Sequence, residues 1–167
     1  AGDLVLIAAR PEQGKSLLCL ELATTANRYH RKGYIFTLEE TETKMSDRLL
    51  NMGFDPRASS NAPVIDTSDD ISADYIVRRI EADKEPALVV VDYLQLLDQK
   101  RTNPPLNDQI AALKRYVVDA GVICAVISQI DRSYDLSGKS IPCISDIRLP
   151  NPLDLSAFTK CIFMHDG

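Results

Sequence analysis

The chain has 167 residues, about one domain's worth, with 45% hydrophobic and 26% charged residues and a net charge of −5. This balance is that of an ordinary globular protein and excludes a broadly basic coat for nucleic acid, although a local basic channel needs only a local cluster of cations. No apolar run approaches the roughly 20 residues of a membrane-spanning helix and the N-terminus lacks a signal-peptide layout, so no membrane association is expected.

Leu4–Ala8 is an uninterrupted apolar run ending at a loop, the pattern of a strand buried on both faces. Lys15 to about Arg31 lacks Gly and Pro and is rich in Leu and Ala, which predicts a helix. Tyr34–Leu38 is a second strand. Thr41 caps a helix from Glu42 to Met52, in which Met45, Leu49 and Met52 share a face and which Gly53 suits at its end. Phe54–Ala62 reads as a loop and Val64–Asp66 as a short strand. Ser72 opens a helix to about Asp83 with Ile76 and Ile80 aligned, and Pro86 breaks the chain before the strand Ala87–Val91. Asn107–Ala120 is amphipathic through Ile110, Leu113 and Val117 and closes at Gly121. Val122–Ile127 is a further strand, Asp131–Pro152 is rich in turn formers without periodicity, and Cys161–Met164 is a last short strand.

This alternation predicts an α/β fold, a mainly parallel sheet with helices on both faces. Such sheets bind ligands beyond the carboxyl ends of their strands, which singles out Lys15, Glu39, Asp92 and Gln129. The chain opens on Ala1-Gly2-Asp3 rather than methionine and its first strand begins at once. A single domain over residues 1–167 is therefore expected, truncated at both ends relative to a longer protein. Cys19, Cys124, Cys143 and Cys161 form no C-x-x-C pair, and all but Cys143 sit in apolar runs, which predicts reduced thiols and a cytoplasmic setting.

Between the first strand and the first helix lie Ala9, Arg10, Pro11, Glu12, Gln13, Gly14, Lys15 and Ser16. A phosphate cradle needs inward N–H groups, a helix N-terminus and a flexible cation. Gly14 permits the turn, Lys15 supplies the cation and Ser16 a hydroxyl for Mg²⁺. The general pattern G-x-x-x-x-G-K-[ST] has glycine where this chain has Ala9. Asp92 closes the run Ala87–Val91, where an acid holds Mg²⁺ in the Walker-B role. Glu39 follows Tyr34–Leu38 and can orient or deprotonate an attacking water; Glu40 is adjacent and chemically equivalent, so spacing leaves both open. Gln129 follows Val122–Ser128, where its amide can bond a γ-phosphate. Together these residues predict a bound nucleoside triphosphate and Mg²⁺.

Two loops leave the same edge. "LLDQKRTNPPLN" carries Lys100 and Arg101, and "DRSYDLSGKS" carries Arg132, Tyr134 and Lys139, with Arg148 further on. Cations beside a stacking ring suit single-stranded nucleic acid. Asp98, Asp131, Asp135 and Asp146 bring these loops close to neutrality.

"GDLVLIAARPEQGKS" resembles the nucleotide loop of the DnaB-type replicative helicases, a branch of the RecA-like ATPases whose loop has A-R-P before its G-K. Ala9 is in that pattern. "FTLEE" resembles the family's F-S-L-E motif, which picks Glu39 as the catalytic carboxylate. "VVVDYLQLL" resembles its Walker-B strand and "ISQIDRS" its sensor. The resemblance runs from Gly2 to about Arg148. It implies a RecA-like P-loop core within a ring-forming homo-hexamer that hydrolyses ATP between subunits and draws single-stranded DNA through a central channel, with a helicase loader or primase as further partner in bacterial or phage replication. Lys15 and Ser16 would bind phosphates and metal, Asp92 the metal, Glu39 the water and Gln129 the γ-phosphate.

After "SDIR" the family continues with an acidic segment, where this chain has "LPNPLDLSAFTK" with the single acid Asp154. The family's trans-acting arginine would fall beyond Gly167 and its collar domain before Ala1, so slow turnover is expected of this chain by itself, given that such an arginine contributes on the order of 10³–10⁵ in rate. Besides a helicase core, the same residues admit a RecA-like nucleotide-gated module that loads or recombines without unwinding. A non-hydrolysing scaffold is disfavoured, because folding needs neither Lys15 nor Glu39.

Overall fold

The computed structural model describes residues 2–55, 62–149 and 152–164. Each apolar run becomes a strand: β1 Asp3–Ala9, β2 Lys32–Thr37, β3 Val64–Asp66, β4 Ala87–Asp92, β5 Ile123–Gln129 and β6 Lys160–Phe163. They form one sheet in the order β3-β2-β4-β5-β1-β6 with every pair parallel. Parallel strands need crossovers, supplied by α1 (Lys15–Thr25), α2 (Glu42–Asn51), α3 (Ala73–Asp83) and α4 (Leu106–Ala120).

Alternate strand residues serve opposite faces. Leu4, Leu6, Tyr34, Phe36, Val89, Val91, Cys124 and Val126 pack with Ile76 and Ile80 of α3 and with Ile110, Leu113 and Val117 of α4. On the other face Ile7, Val90, Ala125 and Ile127 meet Cys19 of α1, while Ile35 meets Leu20 and Ala23 of α1 and Met45 and Leu49 of α2. Helices thus cover both faces, as the alternation implied. Thr41 and Ser72 cap α2 and α3 with side-chain oxygens that accept from Lys44 and Tyr75 N–H groups.

The helix expected to reach Arg31 keeps α geometry only to Thr25. Thr24 turns its hydroxyl back onto the Leu20 carbonyl at 2.8 Å, and residues Ala26–Tyr29 tighten into a 3₁₀ turn that swings the chain into β2. Segment 131–149 is not featureless: it holds a one-turn helix, α5 (Ser133–Leu136), a 3₁₀ turn at Ile144–Asp146 and an antiparallel bridge between Ile130 and Ile147. Long-range contacts, invisible to periodicity, shape it. Of the predicted loop Phe54–Ala62, residues 56–61 lie outside the described residues, as do residues 150–151 and 165–167. Beyond that gap, Asp154 N–H donates to Asn107 Oδ1 at 3.0 Å, and Thr159 pairs with Leu4 through its N–H at 2.7 Å and its hydroxyl at 3.0 Å. These bonds deliver β6 to the side of β1.

α1 packs across β2 and β4, and Gly33 sets how closely it approaches. A Cβ on Gly33 would stand 2.1 Å from the Ala23 carbonyl oxygen and 2.8 Å from its carbon, both backbone atoms of α1. Gly33→Ala is expected to lower stability by about 1–3 kcal/mol or more, read by urea unfolding. An unchanged midpoint would show that α1 stands further from the sheet than described.

Candidate active site

Register brings the predicted residues to one edge. Thr37 pairs with Asp92 across β2 and β4, and Ala9 pairs with Gln129 across β1 and β5, with β4 and β5 adjacent. Along this edge stand Glu39, Asp92, Gln129 and the loop Ala9–Ser16.

Ala9 is wholly buried as the last residue of β1. Left-handed backbone falls instead at Glu12 (φ 65°) and Gly14 (φ 75°), so position 9 needs no glycine. Glu12, a residue with a side chain in that region, costs roughly 1 kcal/mol there. Gln13 Oε1 accepts the Arg10 N–H at 2.8 Å and closes the loop over exposed Pro11 and Glu12. α1 then begins at Lys15 with no side-chain cap and no acid in its first turn, unlike α2 and α3. That N-terminus, with Ser16 in it, keeps its positive end for an anion.

Lys15 is 8% exposed, and its Nζ lies 3.8 Å from Glu39 Oε1. Asp92 is 1% exposed, and its Oδ1 has no hydrogen-bond partner among the described residues. Burial, reinforced by the Glu39 carboxylate and more weakly by Glu40, pushes its pKa up to about 7 against the pull of Lys15. Burial and then Asp92 and Glu39 also raise the thiol of Cys19, one turn along α1.

The two neighbouring acids part company. Glu40 Oε1 pairs with Arg48 Nη2 of α2 at 3.0 Å, whereas Glu39 faces Lys15. Glu39 N–H donates to the hydroxyl of Thr37, itself 1% exposed, at 3.1 Å. Thr37 escaped the sequence reading; its only signal was a hydroxyl two residues before the acid, at a strand end. Gln129 is half-buried, and its carbonyl accepts the Arg148 N–H at 2.7 Å.

The loop cations divide. Lys100 pairs with Asp70, and Lys139 pairs with Asp146 at 2.8 Å beside the Cys143 sulfur. Lys139 and the Cys143 N–H hold the Asp146 carboxyl down at about 2. Arg101, Arg132 and Arg148 are exposed. Tyr134, expected as a stacking ring, is 4% exposed and packs into the core, where no base can reach it. Also unforeseen was the ion pair of Arg10 with Asp135 of α5 at 2.6 Å, which joins two loops from opposite ends of the chain. Among the described residues no helix is long and apolar enough to cross a membrane.

A glycine–lysine–serine loop between the first strand and first helix of a parallel sheet, with an acid ending a strand two places away, defines a P-loop, RecA-like α/β core. The profile of the DnaB-like helicase C terminal domain matches residues 1–61 and 55–157, and the chain belongs to that family. It is 29% identical to the replicative DNA helicase DnaB of Rhodothermus marinus over 88% of this chain and 19% of that protein. It is 25% identical to DnaB of Geobacillus stearothermophilus over 93% of this chain and 41% of that one. The chain thus spans between about a fifth and two fifths of these relatives' length. Among solved structures, an ATPase domain shares the fold with a TM-score of 0.68 at 24% identity, covering 87% of this chain and 63% of that one. A DnaB-like replicative helicase, in a structure whose subject includes its interactions with primase, gives 0.69 at 22% identity, covering 88% and 44%. A KaiC-like protein of Pyrococcus horikoshii gives 0.60 at 19%, covering 77% and 61%.

Asp92 carries a pH signature. Folding raises its pKa from 3.8 to about 7, so its contribution to stability is full at low pH and is lost as pH rises toward 7. In buffer without metal or nucleotide, Asp92→Asn is expected to gain stability over wild type, by an amount on the order of 1–3 kcal/mol larger at pH 8 than at pH 5. Urea unfolding at both pH values checks this; equal gains would mean that Asp92 ionises freely in the folded protein.

Proposed function

We propose that this chain is the ATP-hydrolysing core of a DnaB-like replicative DNA helicase, one RecA-like domain over residues 1–167 of a longer protein that assembles as a homo-hexamer around single-stranded DNA. The observation that carries this reading is the meeting of Lys15, Glu39 and the buried, unpartnered Asp92 at one sheet edge, beside an uncapped helix N-terminus.

These residues fit ATP and Mg²⁺. An acid with an orphaned oxygen suits a divalent cation, and a nearly buried lysine beside a bare helix end suits a phosphate chain. Arg10, Pro11, Glu12, Gln13 and Gly14 would wrap the phosphates, with buried Ala9 anchoring their loop to the end of β1; Lys15 would neutralise the terminal phosphates, and Ser16 and Asp92 would hold the metal. Bound Mg²⁺ supplies charge neutralisation at the phosphate oxygens. Glu39, oriented through Thr37, exchanges Lys15 for the attacking water and takes its proton. Gln129 bonds the γ-phosphate. Arg101, Arg132 and Arg148 offer exposed charge to a DNA backbone, and Lys100 and Lys139, also exposed, are held in ion pairs. A helicase loader or primase is the further protein partner, in the cytoplasmic replication machinery of a bacterium or phage.

In the full-length protein, Lys15→Ala is expected to abolish nucleotide binding while leaving the fold intact by circular dichroism; unchanged affinity would remove Lys15 from the site. Glu39→Gln should bind ATP yet turn over slower by on the order of 10²–10⁴, whereas Glu40→Gln should keep most of its rate. The reverse ranking would reassign the carboxylate. A forked-duplex assay separates unwinding from loading: ATP turnover with no strand separation would favour the latter.

A further inference from the structure

We propose that the Arg10–Asp135 ion pair is a latch holding the loop after β5 against the nucleotide loop, and that a bound nucleoside triphosphate opens it. The inference rests on the nucleotide site proposed above. Asp135 Oδ1 lies 2.6 Å from Arg10 Nη2, with the two side chains 43% and 41% exposed. Arg10 belongs to the phosphate loop itself, where its N–H is tied to Gln13.

Asp135 belongs to a loop fixed elsewhere. Its base is closed by the Gln129–Arg148 bond, the Ile130–Ile147 bridge and an Asp131 N–H to Asp146 carbonyl bond at 2.7 Å. Lys139 and Asp146 tie its far side. Between these ties runs the short segment 132–138, which ends at Gly138 in left-handed conformation (φ 69°). Buried Tyr134 anchors its inner side and serves as a pivot. Arg10, Tyr134, Asp135, Gly138, Lys139 and Ser140 border a cavity of about 360 Å³, which gives the outer side room to swing.

Charge fixes the direction. A triphosphate on this loop offers the Arg10 guanidinium a second anion and repels the Asp135 carboxylate, and both effects weaken the pair. A pair this exposed shifts an equilibrium by no more than about fivefold, weak enough to yield to several phosphate charges. By linkage, latch opening and nucleotide binding favour each other by the same factor. The loop carrying Arg132 and Lys139 thereby registers whether the site is filled.

Hydrogen exchange across residues 132–140 of the full-length protein tests this, using a non-hydrolysable ATP analogue with Mg²⁺. In wild type the analogue is expected to speed exchange there by roughly fivefold. Asp135→Asn should exchange fast with or without it, and Asp135→Glu, which keeps the carboxylate, should behave as wild type. A measurement without any variant is salt: raising it from about 0.05 to about 0.5 M should speed exchange in nucleotide-free wild type. If the analogue binds but leaves 132–140 unchanged, or Asp135→Asn still responds to it, the latch is overturned and the nucleotide site stands. If the analogue does not bind wild type at all, both fall.

Discussion

A carboxylate held at the end of a buried strand with one oxygen unbonded is the constraint around which this molecule is arranged. Asp92 is fixed by its place in β4, between β2 and β5, and its Oδ1 finds no donor among the described residues. The hydroxyl of Thr37, its register partner on β2, is engaged by the Glu39 N–H, and the ammonium of Lys15 leans to Glu39. Leaving such a group unmet costs stability, and the cost is sustained by the two apolar layers on either face of the sheet. The close seat of α1 on β2, which Gly33 allows, belongs to the same arrangement: it lets a lysine from the loop after β1 reach an acid after β2, with two strands lying between theirs.

Most of this was readable in the chain because the strands are buried on both faces and therefore spell continuous apolar words. Ala87–Val91 and Leu4–Ala8 read as buried strands, and Asp92, which ends the first of them, is then forced to the sheet's carboxyl edge. Spacing failed where two like residues adjoin: Glu39 and Glu40 separate only because Arg48, a turn and more into α2, captures one of them. It failed again in segment 131–149. Its order comes from partners far away in sequence, among them Arg10 for Asp135 and the core for Tyr134, and no local periodicity encodes such partners.

The departure in "LPNPLDLSAFTK" also takes on a physical meaning. The family match extends through Ala157, so most of this segment lies within it. Its apolar residues Leu149, Leu153, Leu155 and Ala157 pack against the main core, and Asp154 spends its carboxylate capping the turn that follows by accepting from Ser156 N–H at 2.9 Å. Where the family carries an acidic segment, the described residues 152–159 of this chain run against the core and lead into β6 beside β1.

The chain's acidic balance is concentrated in the same way as its function. Arg10, Lys100 and Lys139 are each matched by a carboxylate, Asp135, Asp70 and Asp146, on a different loop or turn. An anion that approaches any of these three cations therefore meets one that already has a partner and must exchange for its carboxylate. Exposed pairs yield to such exchange at little cost, whereas Lys139–Asp146, whose acid is 8% exposed and further bonded by Cys143, resists it. The loop is thus built with one firm tie and one weak one. The weak tie is the one that ends on the nucleotide loop, so whatever fills that loop acts first on Asp135.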